Sequence, residues 1–414
     1  MHIELAQTVR LSLDSIRAQK FRSGLTILGI VIGITTVVTV ASMLSGLREG
    51  IITFFRELGP DNVFVMRTTG PPDGNMAPPK ERRRALLRPE YVDFIRESCY
   101  SVRDVGLTLM LQGTRSMTAR VPGYEAEDIM VMAYSPNMAG ISPKDIETGR
   151  FFTPEEDHRT AHVIVIGRNL SDVLFPNGKP LGRQVVLDGA EYAVIGVYAK
   201  AKGGFFGQND TDNAVVMPLQ TARQRYPQLT NFQITASALP GRRDEAVDEI
   251  RAALRRIRNV PRNKEDDFNL TTPDQIIKQF NQITGVIGLV AIAISSLGLL
   301  VGGVGVMNIM LMSVTERTRE IGTRMAIGAR RFDIVGQFLV EAVTLTGLGG
   351  MVGLLVSVVI TFAIGKLVPS IPSTVPAWAI LAGIGTSVGV GVFFGVWPAL
   401  KASRLDPVEA LRYE

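Results

Sequence analysis

Residues 279–315 read QFNQITGVIGLVAIAISSLGLLVGGVGVMNIMLMSVT, 37 positions without one Asp, Glu, Lys or Arg. About 20 apolar residues in helical form cross the hydrocarbon core of a bilayer, and an unpaired charge inside it is costly. Runs 23–47, 342–365 and 367–400 are equally free of charge. The 414-residue chain therefore reads as four membrane spans, 23–47, 279–312, 335–365 and 376–399, separated by water-facing segments. Its composition, 46% hydrophobic and 20% charged, averages two unlike portions. A purely soluble enzyme and a disordered chain are excluded. Cys99 is the one cysteine, so a disulfide scaffold is excluded too.

Charge sets the orientation. Between Arg48 and Lys278 there are 31 Lys and Arg against 30 Asp and Glu, so nearly all of the net +5 lies elsewhere. Arg10, Arg17, Lys20 and Arg22 precede the first span. Arg317, Arg319, Arg324, Arg330 and Arg331 lie between the second and third, and Lys401, Arg404 and Arg412 follow the fourth. The positive-inside rule puts the N-terminus, the 313–334 segment and the 400–414 tail in the cytoplasm. Segment 48–278 and the short 366–375 loop are then external, and the basic excess orients the protein rather than reading nucleic acid. The first apolar run exceeds the 7–15 residues of a signal-peptide core and reads as an uncleaved anchor. Residues 1–22, with Leu5, Val9, Leu13 and Ile16 at helical spacing, read as an amphipathic surface helix or as a lead-in to the first span.

Within 48–278, a helical extension over 46–58 stops at Gly59-Pro60, and residues 62–66 follow as a strand. The Pro- and Gly-rich stretch 68–82 predicts a coreless, mobile loop. Its Arg82, Arg83 and Arg84 either attract an anion or stay solvated. A helix near Pro89–Glu97 comes next, with Pro89 in its first turn. A strand at 232–236, a charged amphipathic helix at 243–258 and a strand at 268–270 repeat the order. Two strand–helix–strand units, about 48–112 and 226–278, thus flank a β-rich insertion at about 113–225 and give a split α/β subdomain. Inside the insertion, Val163–Ile166 is a buried-type strand, and Asp188-Gly189 between two apolar runs is a hairpin signal. The fold class is an α-helical membrane protein with a large external α+β domain.

Few residues suggest chemistry. No phosphate-loop spacing is present, and His158 and His162 near Glu155, Glu156 and Asp157 lack a third ligand. No catalytic set or metal site emerges, and Cys99 reads as a small buried side chain. Phe205 and Phe206 in the 200–213 loop either contact a partner or cargo, or fold back on the sheet. Gly29/Gly33, Gly298/Gly302, Gly349/Gly353, Gly385/Gly389 and Gly391/Gly395 carry the four-residue spacing of close helix packing, within one subunit or between two. Glu341 is an intramembrane carboxylate, either functional in itself or paired with a nearby cytoplasmic Arg. The charged piece 315–331, TERTREIGTRMAIGARR, is helical, with Glu320 and Arg324 spaced for an i,i+4 pair and Ile321 and Met325 forming a small apolar face. It is a docking helix or a charged turn.

On these residues the chain resembles MacB-type ABC transporter permeases of the FtsX-like superfamily. VMNIMLMSVTERTREIGTRMAIGARR (306–331), FLVEAVTLTGLGG (338–350) and PALKASRLDPVEALR (398–412) carry the resemblance, with SIRAQKFRSGLTILGIVIG (15–33) and GRFFT (149–153). The resemblance implies a bacterial inner-membrane homodimer without catalytic activity of its own, binding no cofactor. Its ATP and Mg would sit in a cytoplasmic ATPase docked on a coupling helix at about 315–330. Arg317, Arg319, Glu320, Ile321, Arg324 and Met325 would make that contact. ATP-driven motion would pass through the spans to the external domain (mechanotransmission). With an adaptor protein, that domain would expel macrolides, peptides, toxins or other amphipathic molecules. The fused N-terminal ATPase of MacB itself is missing from this sequence, which implies an ATPase on a separate chain. FtsX-like control of a cell-wall hydrolase, peptide sensing and lipoprotein release share the same architecture.

Overall fold

The computed structural model describes residues 20–69, 78–111, 117–200, 210–367 and 375–411. In chain order its elements are α1 (Lys20–Leu58), β1 (Asn62–Met66), α2 (Pro79–Arg82), α3 (Glu90–Ser98), β2 (Val102–Met110), β3 (Met117–Val121) and β4 (Tyr124–Tyr134). Then come α4 (Met138–Ile141), β5 (Ile146–Gly149), α5 (Pro154–His158), β6 (Val163–Ile166), α6 (Arg168–Leu174), β7 (Gln184–Leu187), β8 (Ala190–Tyr198), β9 (Ala214–Pro218) and α7 (Leu219–Arg225). The remainder is β10 (Phe232–Ala238), α8 (Arg243–Ile257), β11 (Asn269–Thr271), α9 (Pro273–Glu316), α10 (Thr318–Ala326), α11 (Arg331–Leu367), α12 (Ala377–Ser403) and α13 (Pro407–Leu411). The chain divides into two compact units, Arg48–Phe280 and the combination of Met1–Leu47 with Asn281–Glu414. The first division falls inside α1 and the second inside α9.

Among the described residues four helices are long and apolar enough to cross a membrane: α1 from Gly24 to Arg56, α9, α11 and α12. They pack where side chains are smallest, since lipid offers no hydrophobic drive and close backbone approach must supply the attraction. A Cβ on Gly29 would stand 3.0 Å from the Gly302 nitrogen, and one on Gly302 would stand 2.8 Å from Ile30 Cγ1. A Cβ on Gly33 would meet Leu299, and Gly298 backs onto Gly29 and Gly33. Gly349 and Gly353 of α11 face Ile30, Val31 and Ile34 of α1, while Gly391 and Gly395 of α12 face Thr346 and Ala342 of α11. These pairs therefore serve packing within one subunit. Gly385 and Gly389 have open space around them. Hydroxyls add cross-links, with Thr35 Oγ1 donating to the Gly353 carbonyl at 3.0 Å and Ser387 Oγ to the Thr346 carbonyl at 2.7 Å.

The other unit holds the split α/β layer. Strand order β11-β1-β10-β2, antiparallel throughout, with α3 after β1 and α8 after β10, is the β-α-β-β-α-β arrangement of ferredoxin-like folds. The insertion leaves from β2 and returns into β10. Its strands close on themselves in the circuit β4-β3-β7-β8-β6-β9-β4, a six-stranded barrel with parallel β4–β9 and β6–β8 pairs. Strand β4 joins layer and barrel, since Met132–Tyr134 pairs with β2 on one edge and with β9 on the other. Strand β9 lies between β4 and β6 and is buried along its whole length. Asp188 and Gly189 both take positive φ, 48° and 77°, as a two-residue turn matched to strand twist requires. Arg243 donates to the Pro60 carbonyl at 2.8 Å and pairs with Asp274, joining the segment after α1 to the start of α9.

Several expectations change. Part of the stretch read as a coreless loop is ordered, because residues 79–82 form α2 and Glu81 accepts from the Thr69 amide and hydroxyl, both at 2.7 Å. Burial opposes ionisation of Glu81, but the Thr69 bonds and Arg84 outweigh it and hold its carboxyl below the usual range. Arg84 is half-buried, 3.3 Å from Glu81, whereas Arg82 and Arg83 are exposed. Pro89 is the N-cap of α3 rather than a residue of its first turn. Residues 1–19 of the N-terminal helix, and Phe205 and Phe206, lie outside the described residues.

Candidate functional site: the short helix between the second and third spans

Residues 317–330 connect α9 to α11. Thr318 is turned inward, its hydroxyl donating to the Val314 and Thr315 carbonyls at 3.0 and 2.9 Å, which tightens the corner between α9 and α10. Gly328, at φ +103°, ends the short helix, and the Asp333 carboxylate caps the next one by accepting from the Arg330 amide at 3.0 Å.

One side of α10 is buried. Ile321 is 3% exposed and sits in the cluster that includes Val314, Ile334, Phe338 and Ala402, with Met325 half-buried against it. A Cβ on Gly322 would fall 2.6 Å from Ala410 Cβ, so α13 lies directly against α10. Two arginines reach from α10 to α11. Arg317, at the N-cap, places Nη1 3.6 Å from Glu341 Oε2, and Arg324 hydrogen-bonds both Glu320 on its own helix and Gln337 on α11. Glu341 is 2% exposed and forms this ion pair with Arg317.

The other side of α10 is open. Arg319, Glu320 and Ala326 are exposed, and so are Arg330 and Arg331. Ile327 is 75% exposed and Phe332 82%. The six residues expected to meet a partner thus divide by burial. Arg319 and Glu320 are presented outward, Arg317, Arg324 and Met325 are half-buried, and Ile321 faces the interior. Ile321, read as a contact residue, is instead buried among Val314, Ile334 and Phe338. Ile327 and Phe332 were missed as exposed apolar groups. Their signal was present, as two large apolar residues flanking Gly328-Ala329-Arg330-Arg331 in a segment too polar to enter lipid.

The remaining candidates show no comparable grouping. The Cys99 thiol is buried and pushed up to about 11, first by that burial and then by the nearby Glu249 charge. His158 ends α5, which starts with a capping box between Thr153 and Glu156, and His162 stacks on Tyr192 with centroids 5.2 Å apart. Among the described residues no three His, Cys, Asp or Glu side chains come together in a metal-holding group.

Known proteins are similar in sequence to this chain over nearly its whole length. Residues 23–253 match the MacB-like periplasmic core domain, and residues 292–407 match the FtsX-like permease C-terminal domain. The macrolide export ATP-binding/permease protein MacB of Bdellovibrio bacteriovorus is 31% identical over 99% of this chain, and that of Neisseria gonorrhoeae is 32% identical over 99%. The chain spans 62% and 61% of those two proteins. A crystal structure of the periplasmic region of MacB from Actinobacillus actinomycetemcomitans aligns with 56% of this chain and 97% of that one, at 14% identity and TM-score 0.44. With the core-domain match covering more than half of its length and the permease match covering the last two spans and part of the second, the chain belongs to the MacB-like family of FtsX-type ABC transporter permeases.

Proposed function

We propose that this chain is the permease subunit of a MacB-type exporter. It receives ATP-driven motion from a separate cytoplasmic ATPase, which holds the ATP and Mg, and passes it to the external domain. With an adaptor protein, that domain expels an amphipathic cargo such as an antibiotic, peptide or toxin. The working unit is a homodimer in the bacterial inner membrane with both termini cytoplasmic, an orientation supported by the Lys and Arg bias of the flanking segments.

The build of α10 carries this reading. Its exposed side offers Arg319, Glu320 and Ile327 beside Phe332, a basic surface with apolar anchors. Its buried side is tied into the spans through Arg317 and Arg324. A helix that merely turned the chain between spans has no need of both. The test is capture of an ATP-hydrolysing chain by the full-length protein in detergent. Burying one large aliphatic side chain contributes about 1.5–3 kcal/mol, so Ile327→Asp should weaken capture at least tenfold. Equal capture by wild type and I327D refutes the docking surface.

A further inference from the structure

We infer that Gln337 and Glu341 are the receiving ends of a two-armed staple that converts displacement of α10 into displacement of the third span, α11. This rests on the coupling role proposed for α10. Gln337 and Glu341 are one helical turn apart on α11, so they share a face and stand about 6 Å apart along the axis. Arg317 and Arg324 lie two turns apart along α10, about 10 Å by the same rise, so their long side chains converge onto that turn. One arm ends on a buried carboxylate, 3.6 Å away. The second arm is held in shape, because the same guanidinium that reaches Gln337 also binds Glu320.

Three features separate a staple from ordinary packing. The apolar seam beside it, Ile321 against Ile334 and Phe338, is non-directional and resists sliding weakly, whereas the Arg324–Gln337 hydrogen bond is directional and the Arg317–Glu341 ion pair fixes one buried carboxylate. A buried ion pair is a poor way to gain stability, since well-packed apolar side chains of similar volume do as well or better. Glu341 therefore contributes position more than stability. Finally, α10 is packed on a second flank as well, where Ala410 of α13 stands against Gly322. Gln337 and Glu341 act as positioning residues. They lie on α11, apart from the exposed surface offered to the ATPase.

The experiment uses the full chain in lipid nanodiscs and amide hydrogen exchange, with Gln337→Ala, Glu341→Gln and the double variant. Losing a hydrogen bond to a charged group changes an opening equilibrium by about tenfold or more. Exchange over residues 318–326 should therefore rise at least about tenfold in the double variant, with protection of α12 unchanged. A second readout separates positioning from simple support. With the ATPase bound, a non-hydrolysable ATP analogue should alter exchange in wild-type α11 and leave it unaltered in the double variant, which still captures the ATPase. If E341Q does not fold, Q337A decides alone, because it removes one arm without stranding a charge. Unchanged α10 exchange in a folded variant overturns the staple, and so does an undiminished nucleotide response in α11. Wild-type protein that captures no ATPase overturns the coupling role, and the exchange of α10 in the isolated chain then still judges the staple.

Discussion

Replacing Gly302 with Ala adds one methyl group against the α1 backbone in the seam between α1 and α9. Its carbon would lie 2.8 Å from Ile30 Cγ1, 3.0 Å from the Ile30 nitrogen and 3.2 Å from the Thr26 carbonyl. The first of these neighbours can turn away. The other two are backbone, so α1 itself must retreat by several tenths of an ångström. Retreat loosens the reciprocal contacts at Gly29 and Gly298, which occupy the same seam. Overpacking of this kind costs about 1–3 kcal/mol, partly offset by the roughly 1 kcal/mol by which Ala is a better helix former than Gly. Gly385 is the internal control, because a Cβ there meets nothing within 4 Å. Gly385→Ala should therefore gain the propensity term alone. The assay is reversible unfolding of the full chain in mixed micelles, followed by Trp fluorescence and far-UV circular dichroism. G302A should be less stable than wild type and G385A equal to it or slightly more stable. The reasoning is refuted if the order reverses, or if both variants shift equally.

Three further outcomes concern the external domain. Gly189→Ala strains a turn whose φ of 77° disfavours a Cβ, and should lower stability by about 1 kcal/mol, read as a fall in urea midpoint at constant m-value. Thr153→Ala removes the hydroxyl that accepts from the Glu156 amide at 3.3 Å in the capping box of α5, costing about 1 kcal/mol and raising amide exchange over residues 154–158. The Cys99 thiol is raised from about 9 to about 11, so the folded state holds its proton more tightly than the unfolded chain does. That contribution is complete below pH 9 and is lost as pH rises toward 11. A pH series comparing wild type with Cys99→Ala should show the wild type losing relative stability across that window.

Local features were legible wherever neighbours in sequence decide them. Val163–Ile166, the Asp188-Gly189 hairpin and the charged helix over 243–257 follow from run length, turn chemistry and helical period. Two strand–helix–strand units likewise exposed the split α/β layer. Closure of the barrel was not legible, because it depends on β4 pairing in parallel with β9 across some 80 intervening residues. In the connecting segment, period alone joined Ile321 and Met325 into one apolar face but could not say that Ala402, some 80 residues later, would share their cluster. Glu341 was visible as an intramembrane acid, and its pairing with an Arg was one of two open alternatives. Which Arg it meets depends on the angle between α10 and α11, set by the Thr318 and Gly328 corners.

The proposed function requires ATP-driven motion to reach the external domain. Spin labels placed on α8 of each copy in a reconstituted complex with the ATPase, with hydrolysis followed on the same sample, measure that directly. The account predicts an inter-label distance that changes with ATP, and a change abolished in Arg319→Glu/Ile327→Asp. A distance indifferent to ATP while hydrolysis proceeds would contradict it.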